Sequence, residues 1–328
     1  MNENEVISEN EVISENEENV DAVSQQSQDV STLVGGVMHE KNIQAVSKKQ
    51  TAVNILVQIA LYAFLCFMAF IVVFPFYWML ISSVKSMTEY ELMVPTLFPK
   101  EFVWHNYVEA FTAGNLGRLF LNTIFVGIVS TLLSLVITVL SAFAFARLEF
   151  KGKNALFAFL LATMMIPGEL FTITNYQTVV QLGWLNSYQV LIVPFLVSVF
   201  YIYLLKQNFM QIPNELYLAA KVDGTTDLKY LWKVMIPLAL PTLISITILK
   251  MMGAWNTYMW PKLVTSDKSL YLITNGLREL GFVDEATQKP NIPVQMAAVT
   301  MVSIPLFLVF VFLRKYIMKG VSRSGIKG

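Results

Sequence analysis

An all-α integral membrane protein with six spanning helices is the fold class that three features of the chain predict. Its 328 residues are 55% hydrophobic and only 14% charged, with a mean hydropathy of +0.56, whereas soluble domains carry about 25% charged residues. Windows free of Asp, Glu, Lys and Arg lie between Lys49 and Lys85, Arg118 and Arg147, Glu169 and Lys206, and Lys289 and Arg314. Each holds the helix of roughly 20 residues that crosses about 30 Å of hydrocarbon. No stretch alternates apolar and polar residues with period two, which disfavours a spanning β-barrel.

The elements follow in order. Residues 1–50 form a separate zone in which ENEVIS occurs twice in tandem, at 3–8 and 9–14, with ten acidic and three basic residues in all. Such a segment buries too little apolar area to offset its ordering entropy, so it reads as a disordered acidic tail. It has neither the basic start nor the apolar middle of a signal peptide. The formal charge of zero therefore divides into −7 for the tail and +7 for residues 51–328, the stretch assigned to the spanning domain. The first span contains the lone cysteine, Cys66, which reads as a small apolar packing residue. The second lies in 119–146. The third, 154 to about 176, carries Glu169 just after Pro167-Gly168, and the fourth precedes Lys206. The fifth, 232–256, carries Lys250, and its start is expected to bend because Pro237 and Pro241 remove backbone donors. The sixth ends before Arg314.

Orientation follows from the basic residues. With the N-terminus inside, fifteen Lys and Arg fall in the inner segments and seven in the outer ones, as the positive-inside rule requires. Both termini and the segment 207–231 are then cytoplasmic.

That inner segment holds the most informative stretch, PNELYLAAKVDGTTDLKYLWKVMIPLALP at 213–241. A short helix is expected over residues 213–224, opened by Pro213 or Asn214, with Leu216, Ala219 and Ala220 on one face. Asp223-Gly224 stops it, since glycine enters the left-handed region without steric cost, and Thr226 or Asp227 caps a second helix that climbs into the bilayer.

This arrangement resembles the EAA loop of the membrane subunits of ATP-binding-cassette importers: Pro213, Glu215, Leu216, Ala219, Ala220, Asp223, Gly224, Pro237 and Pro241 match its pattern. Leu218 stands where that pattern has Glu, and Leu231 where it has Phe. Other matches occur in order along the chain: PFYWMLISSVK at 75–85, Leu121-Asn122-Thr123, FAFARLEFKGK at 143–153, MMIPGEL at 164–170, QLGWLNSYQVLIVP at 181–194, AWNTYMWPKL at 254–263 and SGIKG at 324–328. Together they are similar to the maltose-type second permease of binding-protein-dependent importers of the carbohydrate-uptake group. The resemblance implies a type I permease fold whose coupling helix, near 213–224, meets the ATPase through Glu215, Leu216, Ala219, Ala220, Asp223 and Gly224. Gly325, Lys327 and Gly328 are implied as a further ATPase contact. It also implies the partners: a second homologous permease, a cytoplasmic ATPase dimer that holds ATP and Mg, an extracytoplasmic solute-binding protein and a sugar or oligosaccharide cargo, all in a prokaryotic plasma membrane.

No catalytic or metal-binding constellation is legible. Gly320 to Lys327 lacks the spacing, the Ser or Thr and the preceding strand of a phosphate loop. His39 and His105 are isolated from one another, so neither metal ligation nor His-based catalysis has a second member. No cofactor and no nucleic acid are expected. Candidates for the solute path are the polar groups in or beside the spans: Asn122, Lys250, Trp255, Asn256 and Tyr258. Lys250 reads equally as a donor in a cavity or as a side chain reaching for the outer interface. Trp255 and Tyr258 double as interface anchors. The competing reading of the whole chain is a secondary transporter or channel that needs no ATPase.

Overall fold

The computed structural model describes residues 54–279, 282–283 and 289–322. The chain divides into one unit up to Pro75 and a second from Phe76 onward, and the first helix, α1 (Asn54–Ser83), runs through that division. Residues 54–75 carry no charge, and Cys66, expected as a packing residue, is exposed on this helix.

The second unit is helical among the described residues, with only an isolated bridge between Val283 and Pro290. Its helices are α2 (Met87–Tyr90), α3 (His105–Ala113), α4 (Leu116–Arg147), α5 (Lys153–Thr163), α6 (Thr172–Gln181), α7 (Tyr188–Ile192), α8 (Val199–Met210), α9 (Asn214–Val222), α10 (Asp227–Tyr230), α11 (Ile236–Leu238), α12 (Leu240–Asn256), α13 (Met259–Val264), α14 (Ile273–Glu279) and α15 (Ile292–Ser322).

Three helices are long and apolar enough to cross a membrane unaided: α1, α4 and the 292–314 part of α15. Three further segments among the described residues are apolar enough only as bent pairs. α5 turns by 86° into residues 168–181, residues 188–195 by 46° into α8, and residues 227–238 by 80° into α12. Counting each pair as one span gives up to six among the described residues. The sequence predicts a kink only in the fifth. Prolines explain the other two. Pro167 precedes the 3-10 turn Gly168–Phe171, and Pro194 lies in the 3-10 turn Val193–Phe195, before the extended residue Ser198. Each removes a backbone donor from what hydropathy alone reads as a continuous helix.

α4 is the axial element. Its 32 residues reach about 48 Å at 1.5 Å each. A buried stripe of small residues, Gly127, Ser130, Thr131, Ser134, Thr138 and Ala142, lets neighbouring helices approach closely. A Cβ on Gly127 would lie 2.8 Å from Sδ of Met251 on α12. Where α4 ends, Val139, Ala142 and Phe143 form one core with Leu205, Phe209 and Ile212 from α8 and its end, and with Tyr230, Leu231, Met235 and Ala239. Leu231, the residue that departs from the family pattern, is fully buried there. Where α4 begins, Leu116 and Leu119 pack with Ala110, Trp255, Ile273 and residues of α15.

Beyond α1, a closed loop is organised by buried Glu89. Its carboxylate accepts from the Thr96 hydroxyl at 2.5 Å and from the Lys100 amide at 3.0 Å. Buried Lys85 donates to the Thr96 carbonyl at 2.5 Å and lies 4.8 Å from the centre of the Trp78 ring.

Candidate functional site

Arg147, the last residue of α4, donates through Nη2 to the carbonyls of Phe209 at 2.9 Å and Ile212 at 2.5 Å. These carbonyls lie at and just past the end of α8, where a cation is favoured by the helix dipole. Ile212 immediately precedes Pro213, which sits at the N-cap of α9 without a side-chain cap. The start of α9 is thus tied to the end of α4.

The other end of α9 closes as the Asp-Gly pair requires. Gly224 has φ +70°, its N–H donates to the Lys221 carbonyl at 3.0 Å, and the Thr225 N–H donates to the Ala220 carbonyl at 2.8 Å. These two bonds are the Schellman pair. Thr226 occupies the N-cap of α10 with no side-chain bond. The expected cap is replaced by a clamp, in which Asp227 Oδ1 accepts from the Tyr217 hydroxyl at 2.7 Å and pairs with Lys221 Nζ at 2.6 Å. The Tyr217 and Tyr230 rings are 5.1 Å apart. Burial pushes the Tyr217 phenol up, and its bond to Asp227 pushes it the same way. The Lys221 ammonium is raised chiefly by its bond to Asp227.

These contacts sort the faces of α9. Tyr217 and Ala220 pack inward against the core at the end of α4, while Glu215, Leu218, Ala219 and Val222, at i, i+3, i+4 and i+7, are exposed. Leu218 is 55% and Val222 89% exposed. The expected grouping of Leu216 with both alanines is therefore divided. Leu216 and Ala219 face outward, and Ala220 turns in because it shares the Tyr217 side of the helix. Glu215 has no ion pair among the described residues. Asp223 and Gly224 are exposed at the turn.

Below this joint the chain passes through π-helical residues 231–235, where the Ile236 N–H reaches the Leu231 carbonyl. The 80° bend then falls at the fully buried Ala239, between Pro237 and Pro241.

The solute-path candidates separate into four environments. Asn122 is buried and consumed by contacts, its Nδ2 donating to the Ser269 and Tyr271 carbonyls at 2.8 and 3.0 Å and its Oδ1 accepting from Tyr188 at 2.8 Å. Trp255 is a core residue against Phe120, with ring centres 5.9 Å apart. Asn256 and Tyr258 line a cavity of about 350 Å3 with Arg278 and Gln295. Arg278 lies 4.5 Å from the centre of the Tyr258 ring, and Lys262 donates to the phenol at 3.0 Å, a bond that lowers the Tyr258 pKa. Lys250 lines a different cavity of about 340 Å3 between α4, α8, α12 and α13. Its ammonium donates to the Phe195 carbonyl, at the break that precedes α8, which neither sequence reading of Lys250 foresaw.

Gly325, Lys327, Gly328 and the acidic residues 1–50 lie outside the described residues. Sequence reasoning missed Arg147, Tyr217 and Lys221. The i, i+4 spacing of Tyr217 and Lys221 was visible, but their meeting with Asp227 depends on the turn.

Residues 134–323 match the family model described as the inner membrane component of binding-protein-dependent transport systems. The chain is 30% identical over 265 residues to the arabinooligosaccharides transport system permease protein AraQ of Halalkalibacterium halodurans, covering 80% of this chain and 94% of that one. It is 29% identical to the polygalacturonan/rhamnogalacturonan transport system permease protein YtcP of Bacillus subtilis, covering 84% and 99%. It is 32% identical to the sn-glycerol-3-phosphate transport system permease protein UgpE of Rhizobium meliloti, covering 76% and 90%. A solved bacterial ABC transporter involved in the import of the acidic polysaccharide alginate has a chain of the same fold, with a TM-score of 0.74 at 24% identity over 80% of this chain and 96% of that one.

Proposed function

The chain belongs to the inner membrane components of binding-protein-dependent transport systems, and from that premise we propose that it forms half of the translocation path of an ATP-driven importer for a sugar or oligosaccharide. The chain is a prokaryotic membrane protein, and its relatives are transport permeases. The family implies a cytoplasmic ATPase and a solute-binding protein as partners. The proposal adds a second homologous permease as the other half, ATP and Mg held by the ATPase dimer, and both termini of this chain on the cytoplasmic side.

The observation that carries the mechanism is the double anchoring of α9. Arg147 fixes the approach to Pro213, and the Asp227 clamp with the turn at Gly224 fixes the exit into α10. A helix held at both ends moves as a body, so displacement of its exposed Glu215, Leu218, Ala219 and Val222 face by the ATPase is delivered to residues 227–238. The bend at Ala239 converts that sideways movement into a tilt of α12. Inverting an equilibrium from 1:99 to 99:1 requires about 5.5 kcal/mol of differential binding, which a stiff joint transmits and a slack loop dissipates. Gly325, Lys327 and Gly328 are assigned a second contact with the ATPase. Leu218 replaces an acid with an apolar side chain, leaving Glu215 as the carboxylate of the exposed face.

Uptake into vesicles that contain the assembled complex tests the reading. Accumulation of a sugar that requires internal ATP supports it. Accumulation that persists without nucleotide and follows an ion gradient overturns it in favour of a secondary transporter.

A further inference from the structure

The wall of the 340 Å3 cavity is unusual in its charge. From α12 it receives Lys250, Gly253 and Ala254, at i, i+3 and i+4 on one helical face, and from the extended residue that ends the helix, Thr257. The remaining wall includes Ser130 of α4, Ser198 and Tyr201 beside or within α8, and Trp260 of α13. One ammonium therefore stands over a floor of small residues. A Cβ on Gly253 would meet nothing within 4 Å, so this floor is open. The cavity falls within the size range of small-ligand pockets.

The ammonium is held in place without being neutralised. Its carbonyl partner, Phe195, is itself located by edge-on packing against Trp260 with ring centres 5.6 Å apart, and the Trp260 indole donates to the Val190 carbonyl at 2.8 Å. That single bond leaves two of the three ammonium donors. No carboxylate lines the cavity, and among the described residues none pairs with Lys250. A charge inside a membrane span is expensive unless it is compensated, and such groups face cavities where their counter-charge arrives. Neutral hydroxyls satisfy donors without cancelling charge.

We infer that this cavity receives the acidic group of a charged sugar, a carboxylate or a phosphate ester, at Lys250 as the solute crosses the membrane. The inference rests on the importer reading and deepens it by naming the class of cargo.

The test uses the complete complex in liposomes with its binding protein and ATPase, and three probes: a galacturonate disaccharide, glycerol 3-phosphate and neutral arabinobiose. The wild type is expected to accumulate at least one of the two anions, and which one distinguishes carboxylate from phosphate. Lys250→Met should lower that uptake about tenfold or more, as loss of a charge-assisted hydrogen bond would, while Lys250→Arg retains it. Uptake of arabinobiose, wherever the wild type shows it, should be the same in all three, and Lys250→Gln serves as a polar control for folding. Equal loss for neutral and anionic probes would make Lys250 only a tie between α12 and the Phe195 carbonyl, and overturns the inference. So does unchanged anion uptake in Lys250→Met, which would assign the counter-charge to a partner subunit, or wild-type transport of arabinobiose alone. Absence of uptake of every probe overturns the inference, and anion uptake that persists without ATP overturns the importer reading as well.

Discussion

Replacing Gly224 by valine perturbs the joint at one backbone angle and nowhere else. The glycine sits at φ +70°, and an added Cβ would meet no atom within 4 Å, so crowding by neighbours contributes nothing. The whole effect is conformational. An L-residue in the left-handed region is disfavoured by about 1–2 kcal/mol, and a β-branched one is the least tolerant. If the turn escapes by unwinding, the bonds from Gly224 to Lys221 and from Thr225 to Ala220 are forfeited, at about 0.5–1.5 kcal/mol each. The cheaper route governs, so the joint loosens by about 1–2 kcal/mol, a five- to thirtyfold shift in its population. Solute-stimulated ATP hydrolysis by the reconstituted complex is the assay. Gly224→Val should insert and assemble normally but lose stimulation about five- to thirtyfold. Gly224→Asn, whose side chain tolerates the left-handed region, should recover most of it. Wild-type stimulation in the valine variant would refute the idea that α9 acts as a rigid lever.

Two further outcomes follow from the same geometry. Asp227→Ala removes the acceptor of Tyr217, a bond worth about 1–2 kcal/mol, while the half-exposed Lys221 pair is screened by solvent and adds little; reduced stimulation with preserved assembly is expected, measured as the ratio of ATP turnover with and without solute. Glu89 gives a pH signature. Its burial alone would raise its pKa, but the Thr96 hydroxyl, the Lys100 amide and the charges of Lys85 and Lys100 hold it below the ordinary 4.5. A depressed carboxyl contributes stability above its unfolded value and loses it as pH falls through the folded one. Hydrogen exchange at the Lys100 amide, corrected for intrinsic rate, should therefore lose protection below pH 4.5, and Glu89→Gln should abolish that dependence.

What was legible in the sequence was what depends on composition and local chemistry. Charge-free windows located α1, α4 and α15, and the Asp223-Gly224 pair marked the end of α9 because only a left-handed residue closes that turn. Pro237 and Pro241 bracketed the bend at Ala239. Legibility failed where a local signal competes with an average. Pro167 and Pro194 sit in windows apolar enough to read as unbroken, yet each begins or accompanies a 3-10 turn and a sharp redirection. It failed again where partners are distant in sequence. Tyr217 and Asp227 are ten residues apart, Arg147 and Ile212 sixty-five, and Lys250 and Phe195 fifty-five, so no spacing rule joins them. The inward turn of Ala220 is a consequence of the first of these contacts. Asn122, polar and within a span, reads as a cavity residue, but its amide is spent holding the 269–271 backbone and Tyr188.

Cysteine crosslinking in intact membranes, with the exposed Cys66 replaced by Ser, tests the central claim most directly. Ala219 lies on the exposed face of α9 and Ala220 against the core. A cysteine at 219 should capture a nucleotide-hydrolysing subunit, with an efficiency that changes on ATP binding, and one at 220 should capture it poorly. Capture from neither position, or equally from both regardless of nucleotide, would contradict a rigid hairpin that presents one face to the ATPase.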